Sequence, residues 1–358
     1  MDKARLIPAG ALKRFAYEVL LSAGVRSDTA RDVAEGLIQT SVRGVDSHGI
    51  RLLGHYLRGV AGGRINPKPR YIFRRTSAST GLLNADHTFG HAAGMEASRH
   101  AIKLAKKAGT GHVAVCNSTH FGAAAYYALE IAKHDMIGMA FTNTDALVKT
   151  YAGRRAFLGN NPIAFAAPCR DEEPFCLDMA TSIVTFNKVR QWREQRVMAP
   201  AGVGADRMGR ETNDPAKIFT LLPIGGYKGY GLSMMIEILC SLLTGAPYGP
   251  HIPKMFEASM GAKRFLGHFI IAMRIDCFQT RSVFKERMSL LINELRNEPR
   301  INPRIGVQVA GDPEKKVQRE RMRRGIPLMK NEYDELQALG EEYGVKLMGH
   351  ELRRGRKK

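Results

Sequence analysis

Tryptophan occurs once in the 358 residues and cysteine five times, at Cys116, Cys169, Cys176, Cys240 and Cys277. No two cysteines form a CxxC pair, and an odd, sparse set excludes a disulfide framework and argues against a structural zinc site. Each is expected to pack as a small apolar side chain in a reducing cytoplasm. Long apolar runs are also missing. The richest, residues 232–243, is broken by Glu237 and is too short to cross a bilayer. The first fifteen residues, MDKARLIPAGALKRF, lack the uninterrupted apolar stretch of a secretory signal, so a cytoplasmic protein without membrane partners is expected.

Several signatures of chemistry are absent as well. No GxGxxG follows a predicted strand, which removes the usual Rossmann fingerprint. No HExxH occurs and no regular histidine spacing suggests a metal site, so none is expected. Ser47 and His48 are sequence neighbours, a placement that gives no triad, and without a GxSxG elbow a serine hydrolase is set aside.

Acid is scarce relative to base: 34 Asp+Glu against 54 Lys+Arg leave a net charge of +20. Half of that excess lies in residues 315–324 (KKVQRERMRR) and 352–358 (LRRGRKK). Neither segment interleaves aromatics with cations as a base-stacking platform does, so a solvated helix face and a basic tail are favoured. A non-enzymatic nucleic-acid-binding protein using these segments is the alternative reading. Hydrophobic residues at 44% and charged residues at 25% give a globular balance, and the length suggests two lobes.

The pattern along the chain is mixed. Residues 8–21 and 27–43 read as helices, the second with Ser27 as its N-cap, and Gly and Pro at 62–69 mark a turn-rich connection. Strand signals at 82–86, 112–117 and 136–143 alternate with helical stretches at 91–108 and 123–134, the sign of a layered α/β sheet. Further strands are predicted at 162–168, 174–180 and 268–276, and helices at 183–195 and 228–243, with 197–217 as loop. The last third reads as helices at 281–296, 313–324 and 331–343. Helices at both ends around a mixed middle predict a discontinuous helical domain, residues 1–77 with 297–358, beside an α/β domain of residues 78–296.

Two histidines lie in polar, glycine-flanked turns, Asp46-Ser47-His48-Gly49 and Ser118-Thr119-His120-Phe121-Gly122. Imidazole titrates near neutrality and suits proton transfer, but local sequence alone favours a structural role for each. GGYKGYG (225–231) is not a Walker loop, although a glycine-rich helix entry beside a lysine suits a phosphate; the bland reading is a turn into a core helix.

Six stretches in order carry a resemblance: RGVDSHGIRLLGHYLRGVAGGRINPKP (43–69), NSTHFGAAAYYALEIA (117–132), LGNNPIAFAAP (158–168), LDMATS (177–182), TNDPAKIFTLLPIGGYKGYGLSMMIEIL (212–239) and RRGIPL (323–328). Together they resemble the type 2 malate/L-lactate dehydrogenases, a family that includes ureidoglycolate, sulfolactate and diketogulonate oxidoreductases. The resemblance implies hydride transfer between NAD or NADP and a small anionic 2-hydroxy or 2-oxo acid. It also implies a non-Rossmann, mixed-sheet cofactor domain and a homodimer or larger assembly.

By position, the resemblance makes His120 and His48 the catalytic pair and places Ser47 and Arg51 at the substrate. Thr144, Asp178, Met179, Ala180, Lys228, Gly311, Asp312 and Pro313 fall at coenzyme contacts, with Ala310-Gly311 where relatives carry Pro-Gly. Asp178 is also the candidate carboxylate for fixing the histidine tautomer. In several relatives an arginine stands four residues after the first histidine; here Leu52 does, and Arg51 comes one earlier, a rotation of roughly 100° on a helix.

Overall fold

Apolar side chains at helical spacing build the first layer. The computed structural model describes residues 4–347. After the short strand β1 (Arg5–Ile7), helix α1 (Ala9–Ser22) buries Leu12, Phe15, Ala16, Val19 and Leu20 on one face against α2 (Ser27–Val42). Ser27 is not the cap of α2: it is already helical, and the extended residue before it is Arg26. Asp28 takes over the capping chemistry, accepting the Thr29 backbone N–H (2.6 Å) and the Arg26 Nε–H (2.7 Å). Two 3-10 turns, Asp46–His48 and Ile50–Leu52, lead into α3 (Leu53–Ala61).

The middle of the chain is a mixed sheet. In order come β2 (Ile72–Arg75), β3 (Thr80–Asn84), α4 (Gly90–Ala108), β4 (Thr110–Ser118), α5 (Ala125–Ala132) and β5 (Met136–Thr142). The short strands β6 (Val148–Lys149) and β7 (Ala156–Leu158) precede β8 (Ile163–Ala167), β9 (Phe175–Met179) and α6 (Phe186–Gln195). Helix α6 starts later than its apolar pattern predicts, because Thr185 caps it by accepting the Lys188 N–H. The 197–217 loop holds only β10 (Gly204–Ala205); β11 (Thr220–Leu221), α7 (Tyr227–Cys240) and β12 (Leu266–Arg274) follow.

Seven strands pair in the order β2-β3-β4-β12-β5-β8-β9. Only β3 and β4 run parallel; the other pairs are antiparallel. A doubly wound Rossmann sheet is parallel throughout its nucleotide half, so this topology accounts for the missing glycine fingerprint. Period-two alternation splits the sheet: Val113, Val115, Ile270 and Ala272 face α4 and α5, while Phe141 and Phe269 face Ile236 and Cys240 of α7. A second, four-stranded sheet has the order β10-β11-β6-β7 and packs Val148 and Leu221 against Val189 of α6.

The chain returns through α8 (Arg281–Arg296), α9 (Asp312–Arg324), β13 (Ile326–Leu328) and α10 (Lys330–Tyr343). β13 pairs antiparallel with β1, and Leu328, Leu336 and Leu339 join the core made by α1, α2 and α3. Helices from both ends thus share one core, beside a mixed α/β body that β2 also joins. No described helix is long and apolar enough to cross a membrane. Cys169, Cys176 and Cys240 are buried as expected, but Cys116 is half-buried and Cys277 is exposed at the end of the 3-10 turn that follows β12. The 352–358 basic run lies outside the described residues.

Candidate active site

A cavity of about 1490 Å³ is walled by the turn after α2, the ends of β4, β5 and β9, the segment before β12, and the entry to α9. His48 reaches it from the first 3-10 turn. That turn packs tightly on α2: a Cβ at Gly49 would fall 2.0 Å from Ser41 Oγ, which accepts the Ile50 N–H at 2.9 Å. Asp46 is anchored by Arg321 of α9, with Nη2 2.9 Å from Oδ2. Ser47 Oγ is 2.8 Å from His48 Nδ1.

His120 arrives from the other body, two residues beyond β4. Its backbone crosses the start of α4 so closely that a Cβ at Gly90 would lie 2.5 Å from the His120 carbonyl. The Gly90 N–H donates to Thr119 Oγ1 at 3.1 Å and locks the crossing. The structure therefore brings together two histidines 72 residues apart, with ring centroids separated by 5.3 Å.

Each ring has Nδ1 occupied and Nε2 without a protein partner among the described residues. For His120 the Nδ1 partner is the Tyr56 hydroxyl, 2.7 Å away, on α3. Tyr56 is buried and its phenol is pushed above its usual pKa by burial. A neutral phenol serves either tautomer: accepting from Nδ1–H leaves Nε2 as a base, and donating leaves Nε2–H as an acid. Asp178, the candidate carboxylate for fixing the tautomer, does not hold His120; Tyr56 stands in that place. The Asp178 carboxylate accepts the Ala125 N–H at 3.0 Å instead, because β9 ends beside the start of α5.

Burial moves the titrations. His48 is pushed down to about 4, and His120 falls well below the usual imidazole value through burial, with His48, His91 and Arg264 adding repulsion. Both rings are neutral at pH 7. Asp178 is pushed up to about 6 by burial, although its side chain opens onto the cavity.

One residue at this site carries no motif. Arg264, in the loop before β12, is 2% exposed and lines the cavity. One nitrogen of its guanidinium pairs with Asp145, while Nε and Nη1 have no partner. Both of those nitrogens are sealed from solvent and open on different edges of the guanidinium, so Arg264 brings a buried positive charge to the cavity wall rather than an open two-pronged clamp. Arg51 also lines the cavity: its Nε stands 2.9 Å from Glu332 without a well-formed hydrogen bond, and its Nη2 stands 3.6 Å from Asp46.

The other sequence candidates divide. Thr144, Met179, Ala180, Gly311 and Pro313 line the cavity with Asp178. Gly311 has a φ of 94° and a Cβ there would stand 2.9 Å from the Cys176 carbonyl, so backbone alone fits between β9 and α9. Asp312 faces away, its carboxylate held by Arg296 (2.6 and 3.0 Å) and by the Val309 N–H (3.0 Å). Lys228 sits exposed in the first turn of α7 and is not on the cavity wall. In the 315–324 cluster, Lys315, Arg321 and Arg324 pair with Glu172, Asp46 and Glu320, so half of its cations serve intramolecular contacts.

The cavity thus brings two facing imidazoles, the groups suited to proton transfer, together with the buried guanidinium of Arg264. The malate/L-lactate dehydrogenase family model matches residues 7–337. The malate dehydrogenase of Pyrococcus abyssi is 37% identical over 350 residues, covering 95% of each chain. The crystal structure of malate dehydrogenase from Entamoeba histolytica superposes with a TM-score of 0.91 at 31% identity, covering 96% of this chain and 99% of that one. The sulfolactate dehydrogenase of Methanocaldococcus jannaschii gives a TM-score of 0.90 at 31% identity, covering 96% and 98%. The chain belongs to the malate/L-lactate dehydrogenase family.

Proposed function

We propose that this protein is an NAD(P)-dependent dehydrogenase of small 2-hydroxy/2-oxo acids, with His48 and His120 at the reacting carbon and Arg264 on the carboxylate. The observation that carries this reading is the 5.3 Å approach of the two imidazoles in a cavity that the buried Arg264 also lines. NAD or NADP, when bound, supplies the hydride acceptor. The cavity exceeds the roughly 300–1,000 Å³ of a common small-ligand pocket and leaves room for a dinucleotide and an acid together. Thr144, Asp178, Met179, Ala180, Gly311 and Pro313 would hold the coenzyme, with close backbone approach at Gly311. Lys228 enters this proposal through the family resemblance, and Asp312 as the residue that holds Gly311 and Pro313 in place.

In the oxidation direction His120 Nε2 accepts the hydroxyl proton while Nδ1–H donates to Tyr56. In reduction the same nitrogen returns the proton to the carbonyl oxygen. His48, fixed by Ser47, orients the hydroxyl. Arg264 fixes the carboxylate, and the buried setting strengthens each contact.

The two-lobed division, residues 1–77 with 297–358 against 78–296, belongs to the same reading. The β1–β13 pair supports it, and the entry of β2 into the large sheet moves the first boundary toward residue 70. A homodimer in the cytoplasm completes the proposal. Its support is the face of α7 and the turn after it, where Met234, Met235, Ile238, Leu242 and Leu243 are exposed together. The decisive experiment follows nicotinamide absorbance with a panel of 2-oxo acids and either reduced coenzyme. Turnover is expected; no turnover and no coenzyme binding across the panel would sink the reading.

A further inference from the structure

Glu237, the residue that interrupts the richest apolar run of the sequence, does not lie on the exposed side of α7. It is 4% exposed, whereas Met234, Met235 and Ile238 on the same helix are exposed. A carboxylate in that position costs free energy unless donors surround it. No cation pairs with it among the described residues. Its Oε2 accepts from Asn161 Nδ2 at 2.7 Å, and its Oε1 accepts from the Gly249 N–H at 2.9 Å and from Ser241 Oγ at 3.3 Å. Ser241 Oγ accepts in turn from Asn143 Nδ2 at 2.6 Å. Every contact donates to the carboxylate and none accepts from it, which suits the ionised form. Burial pushes its carboxyl above the usual value, and these donors hold it back.

These donors lead to the wall of the cavity. Asn161, fully buried, accepts the Thr144 N–H on Oδ1 at 3.1 Å. Thr144 Oγ1 donates to Asn160 Oδ1 at 2.8 Å and accepts the Asn160 N–H at 3.1 Å. Thr144, Asp145 and Asn160 line the cavity, and Asp145 is the partner of Arg264. Asn143, also fully buried, accepts the Gly267 N–H at 2.9 Å, which ties the start of β12 to the end of β5. Gly249 opens the 3-10 turn Gly249–His251, and Pro250 and Ile252 beside it line the cavity. The crossing has no slack: a Cβ at Gly159 would collide with Thr144 Oγ1 and Asn161 Oδ1, and one at Gly249 would stand 2.5 Å from the Phe157 carbonyl. One carboxylate thus fastens three segments of the wall, 143–145, 160–161 and 249–252, that are distant in sequence.

Resting on the proposed dehydrogenase reading, in which Thr144 holds the coenzyme, we infer that Glu237 is a positioning residue for coenzyme binding. It presents two acceptor oxygens in one place, so that the three segments keep one arrangement as the coenzyme enters. An amide cannot replace it. A glutamine whose oxygen meets Asn161 turns its NH2 towards the Gly249 N–H, and the reverse orientation turns it towards the Asn161 NH2. Either way a donor faces a donor, and one segment loses its hold. Seating α7 on the sheet does not require the charge, since Ile236 and Cys240 already pack there against Phe141 and Phe269. Buried charges are often no more stabilising than apolar side chains of similar size. What the carboxylate adds is the geometry of the wall.

The test measures the dissociation constants of NADH and NADPH by nicotinamide fluorescence, with thermal unfolding of each full-length variant alongside. Glu237→Gln is expected to weaken coenzyme binding about tenfold and to leave kcat at saturating coenzyme within about threefold. Asn161→Ala, which removes the link to Thr144, is expected to weaken binding at least as much. Ile236→Val thins the same helix–sheet contact without touching the network. It should lower the melting temperature yet leave the dissociation constant within about twofold. Unchanged affinity in Glu237→Gln, or a matching loss in Ile236→Val, overturns the inference and leaves the dehydrogenase reading in place. Should Glu237→Gln not fold, Asn161→Ala set against Ile236→Val decides on the same readout. A wild-type protein that binds neither coenzyme and turns over no 2-oxo acid sinks that reading and this inference together.

Discussion

The Tyr56 hydroxyl on His120 Nδ1 decides what that imidazole can do, because it leaves Nε2 as the ring nitrogen without a partner among the described residues. Replacing His120 by Ala is expected to lower kcat by about 10²- to 10⁴-fold, measured as coenzyme turnover, with coenzyme binding retained. Tyr56→Phe keeps the ring and removes the partner, so a smaller loss, roughly tenfold, is expected with unchanged thermal stability within about 1 kcal/mol. Arg264→Lys keeps a charge for Asp145 but loses the fork, and KM for the 2-oxo acid should rise about 10- to 100-fold with little change in KM for coenzyme.

Asp178 makes a pH prediction. Its folded pKa of about 6 lies above the ordinary carboxylate value, so the fold favours the neutral form. Its ionisation lowers stability as pH rises from the unfolded value through 6. The same ionisation adds negative charge beside an anionic dinucleotide, so coenzyme affinity should fall as pH rises from 5 to 7. Asp178→Asn is expected to remove that inflection in a fluorescence titration. At this scale the sequence was partly legible. Glycine-flanked turns singled out His48 and His120, since a turn at an element boundary presents a side chain to a cleft. Arg264 and Tyr56 could not be found that way: one is a lone arginine before a strand, the other the single tyrosine of a short amphipathic helix.

Among the elements, the entry to α9 depends on a compact charge network. Arg296 at the end of α8 binds Asp312 and Glu172, and the buried Lys315 binds Glu172 from α9. Both carboxylates are held below their usual pKa, chiefly by Arg296. Their contribution to stability is therefore complete above the unfolded carboxylate range and is lost as pH falls through the depressed folded values. Arg296→Met is expected to cost about 1–3 kcal/mol in urea unfolding at pH 7, and less below pH 4. Because the network ends at Gly311, KM for coenzyme should rise in the same variant.

Helix α8 was readable to the residue and the other predicted helices to within about three, and six strands of the large sheet to within a few residues, from apolar periodicity; β2 at the sheet edge gave no readable signal. Caps were less so. Ser27 has the right chemistry for an N-cap, yet Asp28 does the work one residue later. Asp178 sits at the end of a correctly read strand, but which neighbour its carboxylate meets depends on where β9 ends relative to α5, a tertiary fact that periodicity does not encode.

For the whole molecule, two properties invite measurement. The exposed apolar face on α7 supports a dimer, so Ile238→Glu combined with Leu242→Glu should shift sedimentation from dimer to monomer at micromolar concentration. If the wild-type protein sediments as a monomer, the dimer proposal fails. The fold class was readable in the sequence because strand and helix signals alternate, whereas strand order was not, since β12 inserts between β4 and β5 from more than a hundred residues downstream.

The pairing of β1 with β13 sets a schedule for synthesis. Until residues 326–343 leave the ribosome, α1, α2 and α3 lack the leucines that seal their shared face, and β1 lacks its partner. The mixed sheet can close on the nascent polypeptide, but the helical layer must wait until residues 326–343 emerge. During that interval His48 has no fixed place opposite His120, so nascent chains halted before β13 emerges should be protease-sensitive and inactive, and good clients for a holdase chaperone.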